Sequence, residues 1–286
     1  ANTVVSEVTN PIATPSFATD SAVADITLLP VPAGGPGLID KNWQKDEVLA
    51  RSNEQARLGF SWGTGGVQYP SVVISDTADD PSAPTWDVAD TVFEAFDLVS
   101  IPQITSGMDA YLKYDAIQSV EFYIPGTGWT PAAGNPCAAS GGTACYGRFP
   151  GYTLSQFERD NAVGVRFVVI ENPNRANPSS STPDAPAKGS GVASSVFTDR
   201  RLDLVFEVRD DRRSNGDPVL GLTRETLYNT AEFGQVLNNA RVAMRDATNA
   251  VVTEGVAADT ILILDRPIGV TTSKDWSGGP LGIPPV

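Results

Sequence analysis

The acids carry most of the chemical potential in this 286-residue chain. Asp76, Asp79 and Asp80, followed by Asp87 and Asp90, cluster the hard oxygen donors of which a calcium ion takes six to eight. Asp76, Asp79 and Asp80 are the candidate calcium ligands. Asp210, Asp211, Asn215 and Asp217 form a second group, but Arg209, Arg212 and Arg213 would neutralise it. Neither group has the spacing of an EF-hand loop, and a solvated acidic face is the plainer expectation for both. A third set, Asp97, Asp109, Asp115, Glu121 and Glu158, lies among Tyr111, Tyr114, Phe122, Tyr123 and Trp129. Glycoside hydrolases use carboxylate pairs, and sugar-binding faces add aromatics, but no motif singles out a pair here.

What is missing narrows the chemistry further. The chain has no histidine, which removes Ser-His-Asp and Cys-His catalysis and every histidine-ligated metal. Two cysteines cannot build a four-cysteine zinc site or an iron–sulfur cluster. Gly63-Thr-Gly65-Gly66 lacks the lysine and following helix of a phosphate loop. Ser190 lacks the flanking pattern of a nucleophile elbow. A net charge of −14, with 34 acids against 20 bases, argues against nucleic acid as a partner. No apolar run of about 18 residues is present to cross a membrane. No turnover chemistry is expected: the chain does not read as an enzyme.

Cys137 and Cys145 sit with seven residues between them in a Gly-rich stretch and read as a disulfide, which implies secretion. The sequence opens without methionine or signal peptide and reads as a mature or excerpted segment.

The elements that must position these residues are strands. Apolar or period-two runs recur at 55–62, 71–76, 91–101, 119–124, 163–171, 201–210, 239–245 and 259–264. In 201–209, Leu202, Leu204, Phe206 and Val208 share one face, with Arg201, Asp203, Glu207 and Arg209 on the other. Gly65-Gly66 and Asn215-Gly216 mark turns. Short helical turns are expected at 110–117 and at 154–161, the latter capped by Thr153 or Ser155. Residues 172–191 are nearly devoid of apolar side chains and read as a loop or linker between two sheet-rich halves.

The opening of the chain resembles its end. Asn2-Thr3-Val4 matches Asn229-Thr230-Ala231, residues 24–29 match 258–263, and Ile39-Asp40-Lys41-Asn42-Trp43 matches Thr272-Ser273-Lys274-Asp275-Trp276, in the same order. The expected organisation is a tandem array. Residues 1–37 would be the closing strands of one repeat. Residues 38–175, an Ig-like sandwich with an insertion, and 192–270 would be two Ig-like parts of the next, forming either two sandwiches or one with a large insertion, and 271–286 the first strand of a third. The fold class is therefore all-β: Ig-like antiparallel sandwiches, with a loop-rich elaboration carrying the disulfide.

These landmarks resemble the tandem Ig-like repeats of large bacterial surface proteins, the adhesin and fimbrial type that forms isopeptide bonds. The resemblance touches about a third of the chain. It rests on Lys41-Asn-Trp43 as an opening strand, 71–76 as a strand ending in Asp76, and Tyr228-Asn229-Thr230-Ala231 with 261–264 as the close. It implies a self-crosslinking trio of Lys41, Asn229 and Asp76. It also implies an extracellular, cell-surface stalk or filament whose partners are neighbouring repeats or identical subunits; no cofactor is required, and calcium stays a candidate on the clustered acids alone. The alternative is an adhesive module that binds a host or environmental glycan or protein through residues 85–160.

Overall fold

The computed structural model describes residues 2–9, 17–24, 38–133, 145–179, 185–195, 198–223 and 234–265. Asn229, Cys137 and residues 271–286 lie outside them, so the Asn229 assignment, the Cys137–Cys145 pairing and the proposed strand of a third repeat fall outside the description. The chain forms two compact units, residues 1–34 and 35–286. The first contains one antiparallel hairpin, β1 (Asn2–Thr9) with β2 (Phe17–Ala24).

The second unit is a two-sheet, sandwich-like body. One sheet has the order β11-β7-β13-β5-β3, from β3 (Leu38–Trp43), β5 (Gln55–Gly63), β7 (Phe96–Ile101), β11 (Tyr152–Thr153) and β13 (Arg200–Val208). The other has the order β10-β8-β12-β6-β14-β15-β4, with β9 also pairing with β8. Its members are β4 (Glu47–Leu49), β6 (Ser71–Asp76), β8 (Asp115–Ile124), β9 (Gly128–Pro131), β10 (Cys145–Tyr146), β12 (Val165–Glu171), β14 (Gln235–Arg245) and β15 (Val251–Leu264). All pairs are antiparallel except β4 with β15. One apolar cluster runs between the sheets, from Leu58, Phe60 and Phe206 on one to Ile74, Phe122 and Val242 on the other. Burial of this kind stabilises at about 25 cal/mol per Å² of apolar surface.

The stretches 38–175 and 192–270, expected as two Ig-like segments, share both sheets. β13 lies between β7 and β5, and β14 pairs with β6. Each sheet therefore holds strands from both stretches.

β13 buries Leu202, Leu204, Phe206 and Val208 as its alternation requires. Its other face is not wet throughout. Asp203 is 1% exposed because Arg57 Nε (2.9 Å) and Arg201 Nε (3.1 Å) cover its carboxylate. The facing residue across the ladder is Gly59, where a Cβ would lie 3.1 Å from the Arg201 guanidinium and 3.2 Å from the Asp203 carboxylate. Glycine leaves the space that these charges occupy.

The helix expected at 154–161 is α1 (Gln156–Asn161), a single short segment. Ser155 caps it and Glu158 returns the bond, forming a complete capping box. The turn at 110–117 is shorter than expected: a 3₁₀ turn, Leu112–Tyr114, runs straight into β8.

The polar stretch 172–191 is not a free linker where it is described. Arg175 is 4% exposed, and its Nη2 lies 2.7 Å from Asp115 Oδ1. Arg200, fully buried, places Nη1 2.6 Å from Asp115 Oδ2 and Nε 3.0 Å from Asp109 Oδ2, with its guanidinium 4.1 Å from the Trp62 ring. The Ala193 amide donates to Asp115 as well. Asp115 therefore ties the loop, β8 and β13 together through two buried cations. Asp115→Ala should strip both of that carboxylate and lower unfolding stability by about 3–5 kcal/mol. Urea unfolding of the two chains measures this.

Candidate functional site

Three polar residues occupy positions where strand alternation demands apolar ones. In β3, Ile39, Lys41 and Trp43 point inward while Asp40 and Asn42 are exposed. In β6, Asp76 continues the inward phase of Val72 and Ile74. In β14, Asn238 stands in phase with Ala240, Val242 and Met244. Period-two geometry sends all three side chains into the sandwich.

There they meet. Lys41 Nζ donates to Asp76 Oδ1 at 3.2 Å, and Asn238 Nδ2 donates to Asp76 Oδ2 at 3.0 Å. The Lys41 and Asp76 side chains are 0% and 1% exposed, and Asn238 is 1% exposed. The lysine arrives from the edge strand of one sheet. The aspartate and asparagine come from adjacent strands of the other, with Ala240 opposite Asp76 in the ladder. The Phe60 ring, 5.1 Å from Nζ, forms an apolar wall.

Burial dominates the electrostatics. Desolvation pushes the Lys41 ammonium down to about 8, against the opposing pull of Asp76 and, further off, Asp259. Desolvation also raises the Asp76 carboxyl, although Lys41 and Asn238 favour its charged form. Both shifts favour a neutral amine beside a neutral acid, which is the same proton count as the ion pair with the proton moved along the Nζ–Oδ1 hydrogen bond.

Of the expected trio, the structure brings Lys41 and Asp76 together, Asn229 lies outside the described residues, and a carboxamide that meets them among the described residues is that of Asn238. A strand read from 239 onward stops one residue short of it. The available signal was the apolar phase of β14, in which Asn238 falls and Asn239 does not.

Of the three acids read as calcium ligands, Asp79 and Asp80 line one cavity and Asp76 is not among its lining residues. Asp76 has both oxygens engaged by Lys41 and Asn238. Asp79 uses its main-chain oxygen to accept from Thr77 Oγ1 at 2.7 Å, and Asp80 accepts from the Ser82 amide and hydroxyl. Among the described residues no group of three or more acids or cysteines is gathered as a metal site. At 210–217 the Asn215 side chain accepts from the Asp217 amide within an Asn-Gly turn. A polar cavity of about 200 Å³ lined by Thr77, Asp79, Asp80, Trp86, Asp90 and Asn238 abuts the trio.

The acids of the aromatic-rich stretch are all partnered. Asp97 pairs with Arg209 and Arg213, Asp109 and Asp115 with Arg200, and Glu121 with Arg166. Glu158 accepts from Tyr152, Ser155 and the Ala133 amide. Phe93, Phe96, Phe122 and Phe149 of the same region are core residues. These carboxylates hold strands and loops in place.

Comparison with protein-family models finds no match, and comparison with curated proteins finds none. Among solved structures, the chain is similar to the major pilin subunit of Bacillus cereus, BcpA. It shares 10% identity with the D312A form, at a TM-score of 0.31, over 92% of this chain and 48% of that one. A second BcpA structure gives a TM-score of 0.29 at the same identity and coverage. AvmM, described as catalysing macrocyclization in alchivemycin A biosynthesis, matches 82% of this chain and 92% of that one at 10% identity and a TM-score of 0.27. The chain thus spans about half the length of the pilin subunit. Similarities this distant carry no functional argument.

The Lys41 shift has a measurable sign. Lys41 is lowered by burial to about 8 in the folded chain from an ordinary value of 10.5, and an Asn238→Ala chain, which cannot form the amide, should keep the direction of that shift. Between those values the folded state binds fewer protons than the unfolded state, so stability rises with pH across that window. Urea unfolding from pH 7 to 10.5 should show this rise, by a few kcal/mol, and a Lys41→Met chain in the same background should not.

Proposed function

We propose that this chain is an Ig-like structural module of an extracellular bacterial surface protein, repeated along a stalk or fibre, and that an amide bond between Lys41 and Asn238 seals it. The observation that carries the proposal is the dry contact of Lys41, Asp76 and Asn238 across the two sheets. Holding an unreactive lysine there would cost stability that an apolar residue of the same volume would not.

The reaction is an amide exchange. A proton passes from the Lys41 ammonium to the Asp76 carboxylate, leaving a neutral amine whose lone pair attacks Asn238 Cγ. Asp76 bridges both nitrogens, so it takes a proton from Nζ and delivers one to Nδ2. The Cγ–Nδ2 bond breaks, ammonia leaves and a Cγ–Nζ bond remains. The cavity beside Asn238 offers the ammonia a polar way out. The event happens once, so the module is not an enzyme in the sense of turnover. Neighbouring modules or identical subunits are its partners, and the Cys137–Cys145 disulfide would add a second staple.

Intact mass tests the reading. The purified chain should weigh about 17 Da less than its sequence mass corrected for any disulfide loss, the mass of one ammonia. Proteolysis should yield a branched peptide joining β3 to β14. Lys41→Ala, Asp76→Ala and Asn238→Ala should each abolish the ammonia loss, while Asn229→Ala should not. An unshifted mass in the parent chain would falsify the crosslink.

A further inference from the structure

One more acid stands at this site without a role in the exchange. Asp259 of β15 lies directly opposite Asn238 of β14 in the ladder, and directly paired residues project from the same face of a sheet. Its Oδ2 accepts from the Trp43 main-chain amide at 2.7 Å, across the boundary between the sheets. Trp43 closes β3 two residues after Lys41, and β3 is an edge strand with β5 as its only ladder partner among the described residues. The outward-facing amides of such an edge have no strand to bond. Asp259 supplies an acceptor for an edge amide two residues from the reacting lysine. The Trp43 ring, 5.8 Å from Phe96 and 5.6 Å from Phe206, anchors the same point from within.

We propose that Asp259 is a positioning residue for crosslink closure: by clasping the Trp43 amide it docks the end of β3 onto β15, so that Lys41 reaches Asp76 and Asn238 in register. The inference rests on the Lys41–Asn238 reading and deepens it. One side chain is then related to both reactants. Asn238 sits across the ladder from Asp259, and Lys41 is two residues from the amide that Asp259 holds. A displacement of about 1 Å at a reacting centre costs on the order of a hundredfold in rate.

Asp259 also contributes charge. The charged groups facing Lys41 are Asp76 from β6 and Asp259 from β15. Asp40, the exposed neighbour on β3, turns its carboxylate to the Lys41 main-chain amide, while β5 offers the Phe60 ring and β14 the neutral Asn238. The Asp259 carboxylate favours the ammonium form of Lys41 and so opposes the loss of the proton that attack requires. Clasp and charge therefore separate by substitution. Asp259→Asn keeps an oxygen for the Trp43 amide and removes the charge, whereas Asp259→Ala removes both.

The test follows ammonia loss by intact mass after cell-free synthesis of the full chain, with aliquots held between pH 5 and 9. Hydrogen exchange at the Trp43 amide is measured alongside. Asp259→Ala should close about ten- to a hundredfold more slowly than the parent chain at every pH and lose protection at Trp43. Asp259→Asn should keep that protection and close with a profile displaced to lower pH, a displacement that a purely structural role would not produce. Parent-like rates and parent-like Trp43 protection in Asp259→Ala overturn the proposal, as does an undisplaced profile in Asp259→Asn. A parent chain that never loses ammonia sinks the crosslink itself. In that case unchanged Trp43 exchange in Asp259→Ala would refute the clasp independently.

Discussion

A lysine ammonium has no stable place in the dry centre of a β-sandwich, and the architecture around Lys41 is organised by that constraint. β3 cannot turn Lys41 outward without exposing Ile39 and Trp43, because alternation couples all three. The opposite sheet answers with Asp76 on a central strand, where β12 and β14 flank it on both sides. Desolvation presses on both members and weakens the ion pair they form. Asn238 completes the arrangement by donating to the second oxygen of the acid. The lysine and the aspartate each have a hydrogen-bond partner, but both are displaced from their ordinary ionisation.

The same sandwich contains a second buried charge network with the opposite character. Arg200 and Arg175 present planar guanidinium forks, so Asp115 and Asp109 meet several fixed donors at once. That network ties a polar loop to two strands. Lysine is the cation whose proton can leave, and it is the one placed beside a carboxamide. The five acids among aromatic residues resemble the arginine network in that each is held by cations or hydrogen-bond donors.

Much of this was legible in local pattern. The strand cores at 55–62, 71–76 and 201–210 follow from alternation, and Ser155 was one of the two cap candidates for 154–161. Lys41 in an Ile-x-Lys-x-Trp phase and Asp76 ending an apolar run were also visible. Asn238 was not, because consecutive asparagines at 238 and 239 leave the phase of the strand's first residues open until its partner in the ladder is known. The interleaving of 38–175 with 192–270 was hidden for a related reason: pairing between distant strands is a property of register, which no window of sequence contains. Residues 172–191 read as a linker because their composition is polar, whereas Arg175 is buried against Asp115, 60 residues earlier in the chain.

The long β14–β15 hairpin has a consequence for how such a body would yield under tension. Its turn lies at 246–250, and Asn238 is near its open end, across from Asp259. With Lys41 and Asn238 joined, a pull entering through β3 passes over the covalent bridge directly into β14, and strands β4 to β13 become a closed loop that carries none of the load. What remains in series is the hairpin itself, loaded from its open end, where hydrogen bonds break in succession instead of together. The body would then behave as a rigid link with one short, reversible spring, its give limited to the contour length between Asn238 and the end of β15.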